Sequence, residues 1–361
     1  MNALDLTPGT QNYAAWQVRP LNELPMTYEA FLKHLVAWAI LAASTHNTQP
    51  WRFIIEPRAR TVHFCIDSNW VLPASDKIGR QAMISMGCAL ENFLCAADYY
   101  GAPCKVDYPL AMEGYPLPLI TVRVEKPSNG AHHDLRTMEA MRKRRMNRKR
   151  FDPTRKVPPH VIEEMRKMAN QLGLAVDIIT DWPTRITMAN VQYGADQVVI
   201  AMTKFRNELG MFFLPNNTPD NRGMPGATYG LDDEMSRRIH DELLKKGAFD
   251  AYLAEAFPAG DREALKTAPL IFVISIPEDT PHFWVTAGRM LERTALIAEI
   301  EGLGFSIHAA MVEESVSNTT LKFRLRRSER PTVIGRLGYS QESLPPHAPR
   351  ANLEEVCEIR Q

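Results

Sequence analysis

Apolar residues recur along this chain at two spacings. In residues 27–42, Phe31, Leu35, Trp38, Ala39 and Ala42 return every three or four positions, which predicts a helix with one buried face. Residues 52–55, 61–66 and 119–124 are rich in β-branched and aromatic side chains and predict strands, while residues 79–100 predict a long apolar-faced helix closed by Gly101 and Pro103. A second set of elements follows. Helices are expected at 158–172, 186–209, 232–246, 261–267 and 283–301, and strands at 175–179, 269–275 and 332–337. Residues 216–230 break this pattern with Pro, Gly and Asn, which fits either a lid or a long connection. Together these elements predict an α+β fold of two roughly similar halves, residues 1–130 and 131–361.

Two segments carry candidate chemistry. Residues 43–53 read Ala-Ser-Thr-His-Asn-Thr-Gln-Pro-Trp-Arg-Phe and form a polar turn between an apolar helix and an apolar strand. Ser44, Thr45, Asn47 and Gln49 place hydroxyls and amides where backbone groups are freed. Such groups suit the mixed donor–acceptor edge of a flavin or pterin ring, although a capped loop closed by Pro50 has the same composition. Residues 142–150 hold seven basic residues in nine. Arginines concentrated at a chain reversal suit one phosphate, whose oxygens match the guanidinium fork.

Composition narrows the classes. The chain has 361 residues, 45% of them hydrophobic, which is ample for a core. Lys+Arg and Asp+Glu both number 42, so no global charge recruits nucleic acid or an anionic membrane, and a nucleic-acid role for residues 142–150 lacks an extended basic surface. Five cysteines with no C-x-x-C pair point to reduced thiols. Residues 1–25 lack a basic start and an apolar stretch, and no segment reaches membrane-spanning length, so a cytoplasmic location is expected. The chain has no G-x-x-x-x-G-K-[ST] loop, no full G-x-G-x-x-G after a strand, no G-x-S-x-G elbow and no zinc-ligand spacing.

Serine followed by Asn-x-Gln-Pro-Trp-x-Phe resembles the flavin-contacting loop of the nitroreductase family, whose members bind FMN. The basic run is similar to that family's flavin-phosphate motif. Arg144, Arg145 and Arg148 fall on its arginines, Met146 stands in place of its serine, and Phe151 lies one residue late for its aromatic. Here the loop precedes the arginines by about a hundred residues, the reverse of the usual order, and each half carries one motif. That order resembles the Acg-type branch, in which two half-folds in one chain imitate the usual homodimer. The resemblance implies a nitroreductase-like intramolecular pseudo-dimer with one FMN, and leaves both monomer and homodimer open.

Two further segments follow the resemblance. Residues 302–310, Gly-Leu-Gly-Phe-Ser-Ile-His-Ala-Ala, are similar to the family segment whose backbone amides approach the reactive edge of the flavin. This implies flavin contacts from Ser306, Ile307, His308, Ala309 and Ala310, with the Ala309 and Ala310 amides in the catalytic role at N5. His308 fits either a catalytic acid or a structural residue. The Leu-Gly-Tyr of residues 337–339, followed by a proline-rich loop, implies that Arg350 returns to the phosphate. Asn207 is a further candidate for the polar edge. The implied activity is an FMN-dependent oxidoreductase that passes hydride from NAD(P)H through flavin N5 to a small acceptor such as a nitroaromatic or quinone. The alternative is a flavin-binding or flavin-storage protein with little turnover. No metal is expected.

Overall fold

The computed structural model describes residues 11–25, 27–108, 118–127, 134–247 and 249–361; the junction expected near residue 130 lies outside them. The first helix, α1 (Tyr28–Ala39), starts where the Thr27 hydroxyl accepts the Ala30 amide, and it buries Phe31, Leu35 and Trp38 as the spacing requires. Strands β1 (Trp51–Glu56) and β2 (Thr61–Ile66) form a hairpin, α2 (Arg80–Tyr99) follows, and β3 (Cys104–Asp107) and β4 (Ile120–Val124) complete the antiparallel part of a sheet.

The second set begins with α3 (Leu135–Lys143), α4 (Pro159–Gln171), β5 (Ala175–Ile179) and α5 (Trp182–Ala201). A covering layer consists of α6 (Thr203–Phe212), β6 (Phe213–Leu214), β7 (Met224–Pro225), α7 (Asp233–Lys246) and α8 (Ala251–Thr267). The remaining elements are β8 (Leu270–Ile276), α9 (Pro281–Ile300), β9 (Gly304–Ile307), α10 (Ala310–Glu313), α11 (Ser315–Leu325), β10 (Arg330–Gly338), α12 (Leu353–Val356) and β11 (Cys357–Ile359).

The two main sheets repeat one plan. The first runs β11-β1-β2-β4-β3 and the second β5-β8-β10-β9, so, with β11 set aside, each has an outer strand, a strand leading into a 20-residue helix, and two strands after it. In chain order β1, β2, α2, β3 and β4 correspond to β5, β8, α9, β9 and β10. The last strand, β11, lies parallel to β1 and ties the chain's end to the first sheet.

Helices α2 and α9 pack against each other between the sheets and cross at glycine. Gly87 is the eighth residue of α2 and Gly288 the eighth of α9. A Cβ on Gly87 would lie 2.1 Å from the Val285 carbonyl oxygen, and one on Gly288 would lie 2.0 Å from that of Ile84. Backbones this close leave no room for a side chain on either helix.

Two expected elements differ. The helix expected over 186–209 is two helices, separated at Met202 (ψ 114°). Arg206 stabilises the break by donating to the freed carbonyls of Ile200 and Ala201 at 2.6 and 2.7 Å. The helix expected at 261 begins ten residues earlier, capped by Asp250, and carries Pro258 inside it. Helix α11 was not expected, because polar residues dominate its exposed faces and only Asn318 and Leu321 are buried.

Candidate functional site

The polar turn after α1 is held in an unusual backbone. His46, Asn47 and Gln49 have φ of 50°, 54° and 51°, the left-handed region that asparagine tolerates better than most residues. Side-chain bonds hold this shape. Asn47 Nδ2 donates to the carbonyls of Gly223 (2.8 Å) and Pro349 (2.9 Å), and its Oδ1 accepts from the Arg350 guanidinium. Gln49 donates to the Asn221 carbonyl at 2.7 Å and accepts the Ala351 amide at 2.9 Å. The turn thereby gathers the covering segment and the C-terminal tail onto the first half.

The basic run divides by direction. Arg144 is buried, paired with the buried Glu292 at 3.0 Å, and donates to the Leu41 carbonyl at 2.7 Å. Arg145 donates to the Pro345 carbonyl at 2.9 Å. Arg350 bonds the carbonyls of Leu41 and Ala42 as well as Asn47, and burial first, then Arg144, lowers its pKa to about 9. Arg148 turns the other way. Its guanidinium lies 4.0 Å over the Tyr229 ring, its bond to the Thr228 carbonyl is long at 3.5 Å, and no carboxylate among the described residues is within ion-pair distance.

A cavity of about 980 Å³ lies between these elements. Of the fourteen residues expected at the cofactor, Ser44, Thr45, Met146, Arg148, Ser306, Ile307, His308, Ala309 and Ala310 line it. Asn47, Gln49, Arg144, Arg145 and Arg350 do not; their polar groups bind the protein itself. Asn207 is exposed on α6, outside the cavity. Segment 216–230 contributes Met224 and Tyr229 to the wall, and α6 to α8 add Phe205, Leu209, Ile239, Leu253 and Phe257. As the N-cap and first residue of α10, Ala309 and Ala310 present amides that a helix start leaves without an intrahelical acceptor.

Further residues join the site that the motifs did not single out. Lys149 and Arg150 line the cavity beside Arg148. Arg336, fully buried and 4.0 Å over the Phe151 ring, donates to the Lys149 carbonyl (2.8 Å) and to His308 Nε2 (3.1 Å), which links the basic run to the segment after β9. On the far wall Asp196, from α5, and Asp261, from α8, were invisible because nothing in a helical pattern says which polar residue faces inward.

No protein-family model matches this chain. Two Mycobacterium tuberculosis proteins align along most of it. Uncharacterized protein Rv3127 is 26% identical over 343 residues, 91% of this chain and 93% of that protein. The protein acg, named as a candidate NAD(P)H nitroreductase, is 25% identical over 336 residues, 91% of this chain and 96% of that protein. This chain is similar to nitroreductases. Among solved structures, the FMN-dependent nitroreductase NfnB of Mycobacterium smegmatis, crystallised with NADPH, shares 16% identity over 63% of this chain and 100% of that one, at a TM-score of 0.43. An FMN- and NADPH-dependent NfnB from a Sphigopyxis strain shares 18% identity over 62% and 99%, at 0.41. The likeness to acg thus runs along most of the chain, well beyond the motifs.

Buried titratable groups give the fold a pH signature. Burial lowers His34 and His46 to about 4 and His347 to about 3, so the unfolded chain takes up protons near pH 6.5 that the folded chain refuses, and acid destabilises. Asp196 works in the opposite sense. Burial and then Asp261 push it up to about 9, so the folded chain keeps a proton that the unfolded chain has already lost, and stability falls as pH rises toward that value. The expected profile peaks near neutrality and declines between about pH 7 and 8.5 by up to about 1.4 kcal/mol per pH unit. Melting curves followed by circular dichroism check this, and Asp196→Asn should flatten the alkaline limb.

Proposed function

We propose that this chain is an FMN-dependent NAD(P)H oxidoreductase, built as an internal pseudo-dimer of residues 1–130 and 131–361 around one cofactor. One observation carries the reading: Ser44 and Thr45 from the first half, and Arg148 and residues 306–310 from the second, line a single cavity. The matched sheet orders and the paired crossing glycines support the two related halves.

The cavity fits the group on its own terms. Its volume lies at the upper end of cofactor sites, most of its wall is apolar, and Arg148 has no carboxylate partner. The buried Ser306 hydroxyl, also in the wall, has no hydrogen-bond partner among the described residues. Arg148 and Arg150 would hold the phosphate beside Lys149, which pairs with Glu342 at 3.0 Å, and Ser44, Thr45 and Ser306 would hold the polar ring edge. Bound FMN supplies hydride transfer between a nicotinamide and an acceptor. The amides of Ala309 and Ala310 would donate toward the reactive edge, and cationic side chains would favour negative charge as it develops. The hydrophobic cover from α6 to α8 would exclude water from the exposed face.

The acceptor class is a nitroaromatic or quinone, since an open apolar wall suits a flat ring. The test is an anaerobic absorbance scan of the purified, FMN-loaded protein. NADPH or NADH should bleach the flavin, and a quinone or nitroaromatic should restore it. A bound flavin indifferent to both reagents would instead favour storage, and failure to take up FMN at all would sink the whole reading.

A further inference from the structure

Asp196 is a carboxyl group of the cavity wall with no ion-pair partner among the described residues and a buried oxygen that no donor reaches. It is 3% exposed, and its Oδ1 accepts from Gln192 Nε2 at 2.8 Å. Gln192 Oε1 in turn accepts the Met311 amide at 3.2 Å, which fixes Asp196 beside the start of α10 and hence beside Ala309 and Ala310. Its second oxygen, Oδ2, is buried with no partner among the described residues, on a residue that lines the cavity.

The neighbouring Asp261 is provided for differently. Its Oδ2 lies 3.2 Å from His308 Nδ1, and Arg336 Nε donates to His308 Nε2 at 3.1 Å. Arginine has only donors, so His308 Nε2 accepts and its proton sits on Nδ1, facing Asp261. Burial raises the Asp261 pKa, but His308, Arg336 and Arg148 outweigh it and hold Asp261 low. Negative charge therefore settles on Asp261, and burial first, then that charge, keeps the proton on Asp196. In the adjoining α10 region Glu314 caps α11 through the Val316 and Ser317 amides, and Glu313, 3.2 Å from Arg80, is pushed up by burial only to about 7, against about 9 for Asp196.

We propose that Asp196 is the acid of this cavity, donating its Oδ2 proton to an acceptor oxygen that gains negative charge on reduction. The reading rests on the oxidoreductase function for its substrate, though not for its proton. Hydride delivered to a quinone would bring two electrons and one proton and leave one oxygen anionic. The Asp196 O–H bond breaks, the hydroquinone O–H bond forms, and the carboxylate left behind recovers a proton from water. Asp261, His308 and Arg336 are positioning residues, which hold the neighbouring charge that keeps Asp196 protonated at rest.

The experiment compares the wild-type holoenzyme with Asp196→Asn, which keeps the shape and the Gln192 contact region but has no acid proton. At pH 7 the wild-type infrared spectrum should contain a protonated-carboxyl C=O band that Asp196→Asn lacks, and that band should titrate away as pH approaches about 9. With 1,4-naphthoquinone as acceptor, Asp196→Asn should lose roughly a hundredfold in turnover, the ordinary scale of general-acid catalysis, while retaining FMN absorbance. Asp196→Glu should recover part of the loss.

A wild-type spectrum without the band, or equal naphthoquinone turnover in Asp196→Asn, overturns the inference and leaves the flavin reading standing. Benzylamine binding that tightens with pH in wild type and vanishes in Asp196→Asn also overturns it, by marking Asp196 as an anionic amine site. Failure of both proteins to bind FMN sinks the oxidoreductase reading, and the infrared band alone then decides where the proton resides.

Discussion

Arg148→Ala should weaken FMN binding by roughly ten- to a hundredfold, the effect of losing one charge-assisted hydrogen bond to a phosphate. Arg148 and Arg150 both line the cavity without a carboxylate partner among the described residues, but Arg150 is exposed whereas Arg148 is half-buried over the Tyr229 ring. Titration of flavin-free protein, followed by quenching of flavin fluorescence, measures the loss. Arg148→Lys should restore part of it, since charge returns without the fork. An unchanged affinity in Arg148→Ala would move the phosphate to another part of the cavity. Asn47→Ala should also reduce retention, by a different route. It leaves the buried Gly223 carbonyl without its donor, while the Pro349 carbonyl and the Arg350 guanidinium each lose one of several bonds, so it should lower stability by about 1–3 kcal/mol. A denaturant midpoint distinguishes the two routes, because Arg148→Ala should hardly move it.

Gly288→Leu should be the most damaging single change to the fold, costing more than about 4 kcal/mol and plausibly preventing folding. Its first added carbon would meet the Ile84 carbonyl at 2.0 Å and the Gly87 Cα at 3.0 Å, both backbone atoms that cannot rotate aside. Relief requires parting α2 from α9, and both helices bury residues in one hydrophobic core. Urea unfolding followed by tryptophan fluorescence checks the loss. Gly194→Ala supplies the control. Gly194 lies in α5 with nothing within 4 Å of an added Cβ, so alanine there should be neutral or stabilise by about 0.5–1 kcal/mol through helix propensity. Equal damage from both substitutions would contradict close packing at the crossing.

Much of the secondary structure was legible because each element obeys its own period. Strand β5 falls at residues 175–179 as read, and the long helices α2 and α9 lie within a residue or two of their expected limits. Helix α8 was shortened in the sequence reading because Pro258 reads as a breaker, yet the helix continues through it under its covering contacts. Helix α11 was missed because its buried positions are too few to set a period.

The site divides in the same way. Sequence alone determined that a polar turn at residues 43–53 and a run of guanidinium groups at 142–150 exist, since side-chain type and local spacing are written in order along the chain. Only the tertiary structure decided which of those groups face the cavity. Arg144 and Arg148 are four residues apart and chemically alike, yet one is paired with Glu292 and the other is turned toward open space, because Glu292 arrives from a helix about 150 residues away. Asp196 and Asp261 likewise acquire opposite protonation from partners that no local pattern specifies: charge in a low-dielectric interior depends on what lies within a few ångströms in space.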